Sequence, residues 1–115
     1  MIFTAATQEY ADEILDKLDN EGLISYRLYR QHITKKSDGG YYKDLGLLGR
    51  DLAKCLLVDD KASNFENLPE NGIEIESWEG DKSDVALYEL GSVLLDIVQH
   101  PSHDLRIALD ELDED

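Results

Sequence analysis

The sequence predicts an α/β fold, with a mostly parallel sheet carrying helices on its faces. Three observations carry that prediction. Strand-like apolar segments alternate with segments of helical periodicity. Four short strands can be placed, at Ile2–Ala5, Ser25–Tyr29, Cys55–Val58 and Ile73–Ser77. No repeat, low-complexity run or linker interrupts the 115 residues, a length that suits one domain with a moderate core, so no boundary is drawn inside the chain.

Ile2-Phe3-Thr4-Ala5-Ala6 reads as the end of a strand opening into small residues, which lets backbone approach a ligand closely. Thr7 is placed as an N-cap, and Tyr10, Ala11, Ile14, Leu15 and Leu18 follow at helical spacing, giving a helix from Gln8 to Glu21 ended by Gly22. Tyr26, Leu28 and Arg30 alternate in the next strand. Asp38-Gly39-Gly40 is a turn signal between Gln31–Thr34 and Tyr41–Lys43, predicting a hairpin. Asp44–Lys54 reads as a short helical stretch and Ser63–Asn71 as a loop. Asp84–His100 is the strongest helix, with Val85, Leu87, Leu90, Val93, Leu94, Ile97 and Val98 forming a broad apolar face, stopped before Pro101. His103–Leu112 reads as a last short helix, and residues 110–115 as an acidic, solvated tail.

Composition narrows the function classes. With 26 acidic residues against 11 Lys and Arg, the formal charge is −15, which repels nucleic acid and anionic membranes. A single cysteine, Cys55, rules out an internal disulfide, and its apolar neighbours make it a buried strand residue rather than a nucleophile. No apolar stretch is long enough to span a bilayer and the N-terminus carries no signal pattern, so the chain reads as soluble.

The chemistry gathers at Cys55-Leu56-Leu57-Val58-Asp59-Asp60-Lys61, where an apolar run meets two acids. Ligands in open α/β sheets collect at the carboxyl ends of such strands. Adjacent carboxylates repel, and keeping both ionised near an interior calls for a cation or strong donors; Mg2+ is the natural candidate, since it takes one or two carboxylates with phosphate and water. Thr4 adds a hydroxyl at a strand end, and Lys43 an ammonium after an aromatic pair. Hydroxyl and ammonium suit phosphate oxygens while carboxylates suit the metal, the division phosphoryl transfer requires. Each signal has an ordinary structural reading: a strand-end Thr, an acidic pair that caps the next turn, or a Lys43 paired on the surface with Asp44 or Asp51.

Order and flanks make the set specific. Phe3-Thr4-Ala5-Ala6, Tyr10-Ala11-Asp12, Tyr29-Arg30, Tyr42-Lys43-Asp44-Leu45, Leu48-Gly49-Arg50-Asp51-Leu52, Val58-Asp59-Asp60, Asn71-Gly72-Ile73 and Ser77-Trp78 together resemble the RNA polymerase II carboxy-terminal-domain phosphatase family, to about Leu109. The resemblance implies a haloacid dehalogenase-like (Rossmannoid) three-layer sandwich with a mostly parallel sheet. It also implies a magnesium-dependent phosphoserine or phosphothreonine protein phosphatase working through a phospho-aspartate. By the same resemblance Thr4 and Lys43 bind phosphate, and Asp59 and Asp60 are the metal-site pair. All four are expected to converge on one cleft. The family's Asp-x-Asp-x-Thr nucleophile motif does not occur in these residues. The expectation is therefore a single partial phosphatase domain over 1–115, missing its central first strand and inactive alone. It would be either the C-terminal portion of a longer product or a truncated relative. The expected partner is a phosphorylated protein or peptide segment, with self-association through exposed sheet edges. The resemblance points to the nucleus first and the mitochondrion second. The alternative it implies is a non-catalytic protein-binding module, like the family's mitochondrial import-receptor branch.

Overall fold

A computed structural model of the chain describes residues 1–99 and 104–113. It divides into two compact units, Met1–Lys43 and Asp44–Asp115. Each contains a parallel strand pair, so the predicted α/β class holds.

In the first unit, β1 (Ile2–Phe3) pairs in parallel with β2 (Arg27–Leu28), and the crossover between them carries helix α1 (Gln8–Leu18). The pairing runs past the strand ends, since the N–H groups of Ile2 and Thr4 donate to the carbonyls of Tyr26 and Leu28 at 3.0 Å each. α1 begins at Thr7 as predicted, but the Thr7 hydroxyl makes no capping bond. The helix stops at Leu18 rather than Glu21. Asp19 turns the chain there, accepting from the N–H groups of Leu23 (2.7 Å) and Ile24 (2.9 Å), bonds that compete with another helical turn. The helical spacing selects Ala11 and Leu15 for burial, and they cluster with Tyr29, with Ile2 and Ala6 packed alongside.

Polar contacts lock α1 onto β2. Arg27 Nη1 bridges Asp12 at 3.0 Å and Asp16 at 2.9 Å, and the Tyr29 hydroxyl donates to Asp12. The Tyr29 bond, more than Arg27, holds the Asp12 carboxyl below the ordinary carboxylate value, and the same bond pushes Tyr29 upward. A 3₁₀ turn at Arg30–His32 takes the place of the hairpin's predicted first arm, with His32 Nδ1 accepting from the Tyr29 N–H at 2.8 Å. The hairpin therefore pairs β3 (Thr34–Lys35) with β4 (Tyr41–Tyr42), antiparallel, around Gly39, whose φ of 93° excludes most side chains.

In the second unit, the predicted helical stretch over Asp44–Lys54 is two 3₁₀ turns, Leu45–Leu48 and Leu52–Lys54, separated at Gly49. Asp44 and Asp51 cap them, accepting from the Gly46 N–H at 2.9 Å and the Ala53 N–H at 3.0 Å. The strand β5 is Leu57–Asp59, shorter and later than Cys55–Val58. Cys55 ends the preceding turn and is half-buried, which corrects the expectation of a buried strand residue. β5 pairs in parallel with β6 (Gly72–Glu74), the Ile75 N–H extending the ladder to the Asp59 carbonyl at 3.0 Å. The predicted loop between them winds into 3₁₀ turns at Ala62–Phe65 and Pro69–Asn71.

Helix α2 (Ala86–Gln99) starts two residues after Asp84, which accepts from the Ala86 N–H at 2.8 Å. Its predicted end at His100 and Pro101 lies outside the described residues. The stripe along α2 is apolar as read, but none of its residues is buried, and Leu87 and Val98 remain 70% and 73% exposed. Spacing decides that a helix forms, not that its apolar side is covered. α3 (Leu105–Asp113) is capped by Asp104, which accepts from the Arg106 N–H at 2.9 Å and pairs with its guanidinium at 2.7 Å. The predicted start at His103 and the last two residues of the acidic tail also lie outside the described residues. No helix among those described is long and apolar enough to cross a membrane.

The Asp12–Tyr29 bond makes stability fall at both ends of the pH scale. Asp12 is lowered from 3.8, so its contribution is present above that value and disappears as pH falls through its still lower folded value. Tyr29 is raised from 10.0, so its contribution is present below 10.0 and disappears as pH climbs through its higher folded value. The urea midpoint of Asp12→Asn should therefore change less than that of the unmutated chain as pH drops through the acid limb. Superimposable acid limbs would refute this account.

Candidate functional site

The carboxyl end of β5 is built by the turn that follows it. Asp59 is only 7% exposed, and its Oδ1 accepts from the Lys61 N–H and from Asn64 Nδ2, both at 3.0 Å. Asn64 is itself buried. The carboxylate therefore shapes the Ala62–Phe65 turn, folding it over the strand face that carries Leu57 and Asp59.

That face can be covered only because Gly72, the register partner of Leu57, has no side chain. A methyl group on Gly72 would stand 2.0 Å from Phe65 Cδ2, well inside contact distance. Asn71, 0% exposed, completes the support: its Nδ2 donates to the carbonyls of Leu52 (2.7 Å) and Cys55 (2.9 Å), tying the approach of β5 to the start of β6. Its Oδ1 is buried without a hydrogen-bond partner.

Asp60 has the opposite environment. Strand alternation, carried one residue past the end of β5, turns it away from the face on which Asp59 sits. It is exposed, and its Oδ2 accepts from the Ser77 hydroxyl at 3.0 Å. The two adjacent acids are thus separated by the strand rather than stacked against each other. One carboxylate is committed to protein donors, and the other faces outward.

Thr4 and Lys43 lie in the first unit, Asp59 and Asp60 in the second. Thr4 follows β1; its Oγ1 accepts from the Ala6 N–H at 3.1 Å, a bond that does not use the hydroxyl's own proton. Thr4 lines a groove of ≈160 Å³ whose other walls are Ile2, Ala6, Tyr10, Ala11, Ile14 and Leu15. Lys43 is 7% exposed, and its Nζ stands 5.8 Å from the centre of the Phe3 ring, so an aromatic face next to Thr4 receives the ammonium. Lys43 is thus a buried residue rather than one on the surface.

Among the described residues no group of three or more His, Cys, Asp or Glu converges as a closed metal site would require. Asp60 offers one outward carboxylate, the hard-oxygen ligand type that magnesium takes singly or in pairs. Asn71 and Ser77 stand in the motifs that carry the family resemblance, but the sequence assigns a role to neither, and it does not mark Asn64 at all. Asn64 and Asn71 fell in a stretch read as loop, where Asn is ordinary; the one available signal was Asn71 standing next to a glycine at a strand entry.

Taken together, these features define an α/β domain that holds one buried and one outward acid at the end of a parallel strand. Residues 1–106 match the NLI interacting factor-like phosphatase family, and the chain belongs to it. A Dictyostelium discoideum protein named "Probable C-terminal domain small phosphatase" is 42% identical over 111 residues, covering 96% of this chain and 35% of that protein. The CTD nuclear envelope phosphatase 1B of Danio rerio is 38% identical over 110 residues, 95% of this chain and 44% of its own length. The mitochondrial import inner membrane translocase subunit TIM50 of Bos taurus is 37% identical over 117 residues, all of this chain and 33% of TIM50. The chain therefore spans under half the length of each of these relatives.

Support of the acids by Asn71 and Gly72 is measurable. Asn71→Ala leaves two carbonyls without their donor and should cost about 1–3 kcal/mol. Gly72→Ala forces Phe65 to move and should cost about 1–3 kcal/mol through overpacking. Urea titration of both variants checks this, and a midpoint unchanged for either would remove that residue from the account.

Proposed function

We propose that the chain contributes to a magnesium-dependent phosphoserine and phosphothreonine protein phosphatase of haloacid dehalogenase type. Its three-layer sandwich would be completed by a central strand, and its substrate would be a phosphorylated segment of another protein. The observation that carries this reading is Asp60, an outward carboxylate at the carboxyl end of a parallel strand, in a chain of the phosphatase family.

Asp60 would hold the magnesium ion, and Asp59 would act behind it by building the turn and fixing the strand end. When bound, the ion offsets the negative charge of the phosphoryl group. Lys43 supplies a cation whose ammonium is already partly withdrawn from water, so an arriving phosphate oxygen meets a charge weakly screened by solvent. Thr4 supplies a hydroxyl donor held in place through its bond from Ala6. These 115 residues contain no Asp-x-Asp-x-Thr, so on this reading the attacking carboxylate and the acid that protonates the leaving oxygen would have to be supplied from outside them. The nuclear-envelope relative favours a nuclear setting.

A second reading, a protein-binding module inside an assembly, rests on the translocase-subunit relative, whose identity is close to that of the phosphatases. That reading would favour a mitochondrial setting.

Release of phosphate from a phosphoserine peptide separates the two. The full-length product should turn over in magnesium and lose at least about 100-fold with Asp60→Ala or Lys43→Ala, in line with other charge-stabilising groups. The 115-residue chain alone should give none. Turnover by the short chain that Asp60→Ala abolishes would overturn the assignment of the nucleophile, and an inactive full-length product that still captures its partner would favour the second reading.

A further inference from the structure

We propose that Ser77 is a positioning residue for Asp60, fixing the aim of the carboxylate that takes the metal. The inference rests on the reading of Asp60 given above and adds a residue to it. The parallel register pairs Asp59 with Glu74, and the Ile75 N–H donates to the Asp59 carbonyl, so the β6 chain runs on past the point where β5 ends. Val58 pairs with Ile73 in that register, and alternation carried two residues past Val58 and four past Ile73 would bring Asp60 and Ser77 to the same side of the strand pair. The 3.0 Å bond from Oγ to Oδ2 is the result.

Its effect differs from that of the donors on Asp59. Lys61 and Asn64 commit Asp59 to the interior, whereas Ser77 engages one oxygen of an exposed carboxylate. An exposed Asp samples several rotamers, and a cation must stop that motion when it binds. A hydroxyl that already selects one rotamer removes that entropic cost before the ion arrives. Hydrogen bonds of this kind to a metal carboxylate are worth about 10–100-fold in metal affinity.

Mn2+ serves as the probe, because its unpaired electrons broaden the amide NMR signals of nearby residues. In the full 115-residue chain, broadening should centre on Asp60 and Lys61, distinct from any nonspecific broadening along the acidic tail. Ser77→Ala should raise the Mn2+ concentration for half-broadening by about 10-fold. Ser77→Thr, which keeps the hydroxyl, should stay within about twofold of the unmutated chain. Asp60→Asn should abolish the effect at this locus, and the dispersed amide spectrum of each variant verifies that it is folded. If Ser77→Ala matches the unmutated chain while Asp60→Asn loses the signal, Ser77 does not position Asp60 and the metal reading survives. If Asp60→Asn keeps the broadening, or the unmutated chain shows none at this locus, the metal reading fails and this proposal with it.

Discussion

The register of β5 on β6 is the constraint on which the second unit's chemistry depends, and a missing side chain makes it possible. Gly72 lets the Phe65 ring lie where any other residue would place a Cβ. With Phe65 seated, the Ala62–Phe65 turn closes over one strand face and brings Asn64 to Asp59. The same register carries β6 onward until Ser77 meets Asp60. Asn71 sets the entry of β6 by holding two carbonyls of the preceding turn. A single shift of register would exchange the faces of Asp59 and Asp60, which is why the supports of this strand pair are buried and polar rather than merely apolar.

The two acids show how a strand resolves a like-charge neighbour. Side by side in sequence, their carboxylates would raise one another's proton affinity if both entered the same environment. Alternation sends one to a nest of N–H donors and the other to solvent. In the first unit the answer is different. There Asp12 and Asp16, one helical turn apart, share Arg27, and a tyrosine hydroxyl completes the shell around Asp12. Both arrangements leave each carboxylate with a distinct role, and neither needs a large core.

The α/β class, the helical spans and the hairpin were legible because they rest on periodicity and on turn residues such as Asp38-Gly39-Gly40. The family was legible because its short motifs keep their order along the chain. Strand lengths were not, since side-chain pattern does not say how many backbone groups find partners; Ser25–Tyr29 alternates, yet only Arg27–Leu28 forms strand, and a histidine cap turns the chain at Tyr29. Helix type within Asp44–Lys54 was likewise hidden, because Leu45, Leu48 and Leu52 suit either a helix or two capped 3₁₀ turns. Of the candidate site, residue types and rank order could be read. That Asp59 is buried, Asp60 exposed and Lys43 seated on Phe3 follows from packing that no local pattern records.

Charge gives the proposed phosphate chemistry its physical boundary. A formal charge of −15 repels an anionic phosphopeptide within about 8–10 Å, the screening length near physiological salt, and has little reach beyond it. On the proposed reading these residues would offer a phosphopeptide no long-range attraction, so recognition would arise at contact. A lysine drawn out of water onto an aromatic ring meets that requirement, because its field acts at short range and through little solvent. A cation held at Asp60, as proposed, would work in the same way. On the proposed reading, acidic bulk and cationic contact points together would favour a ligand whose negative charge is concentrated in one group, flanked by neutral or basic residues, over one that is acidic along its length.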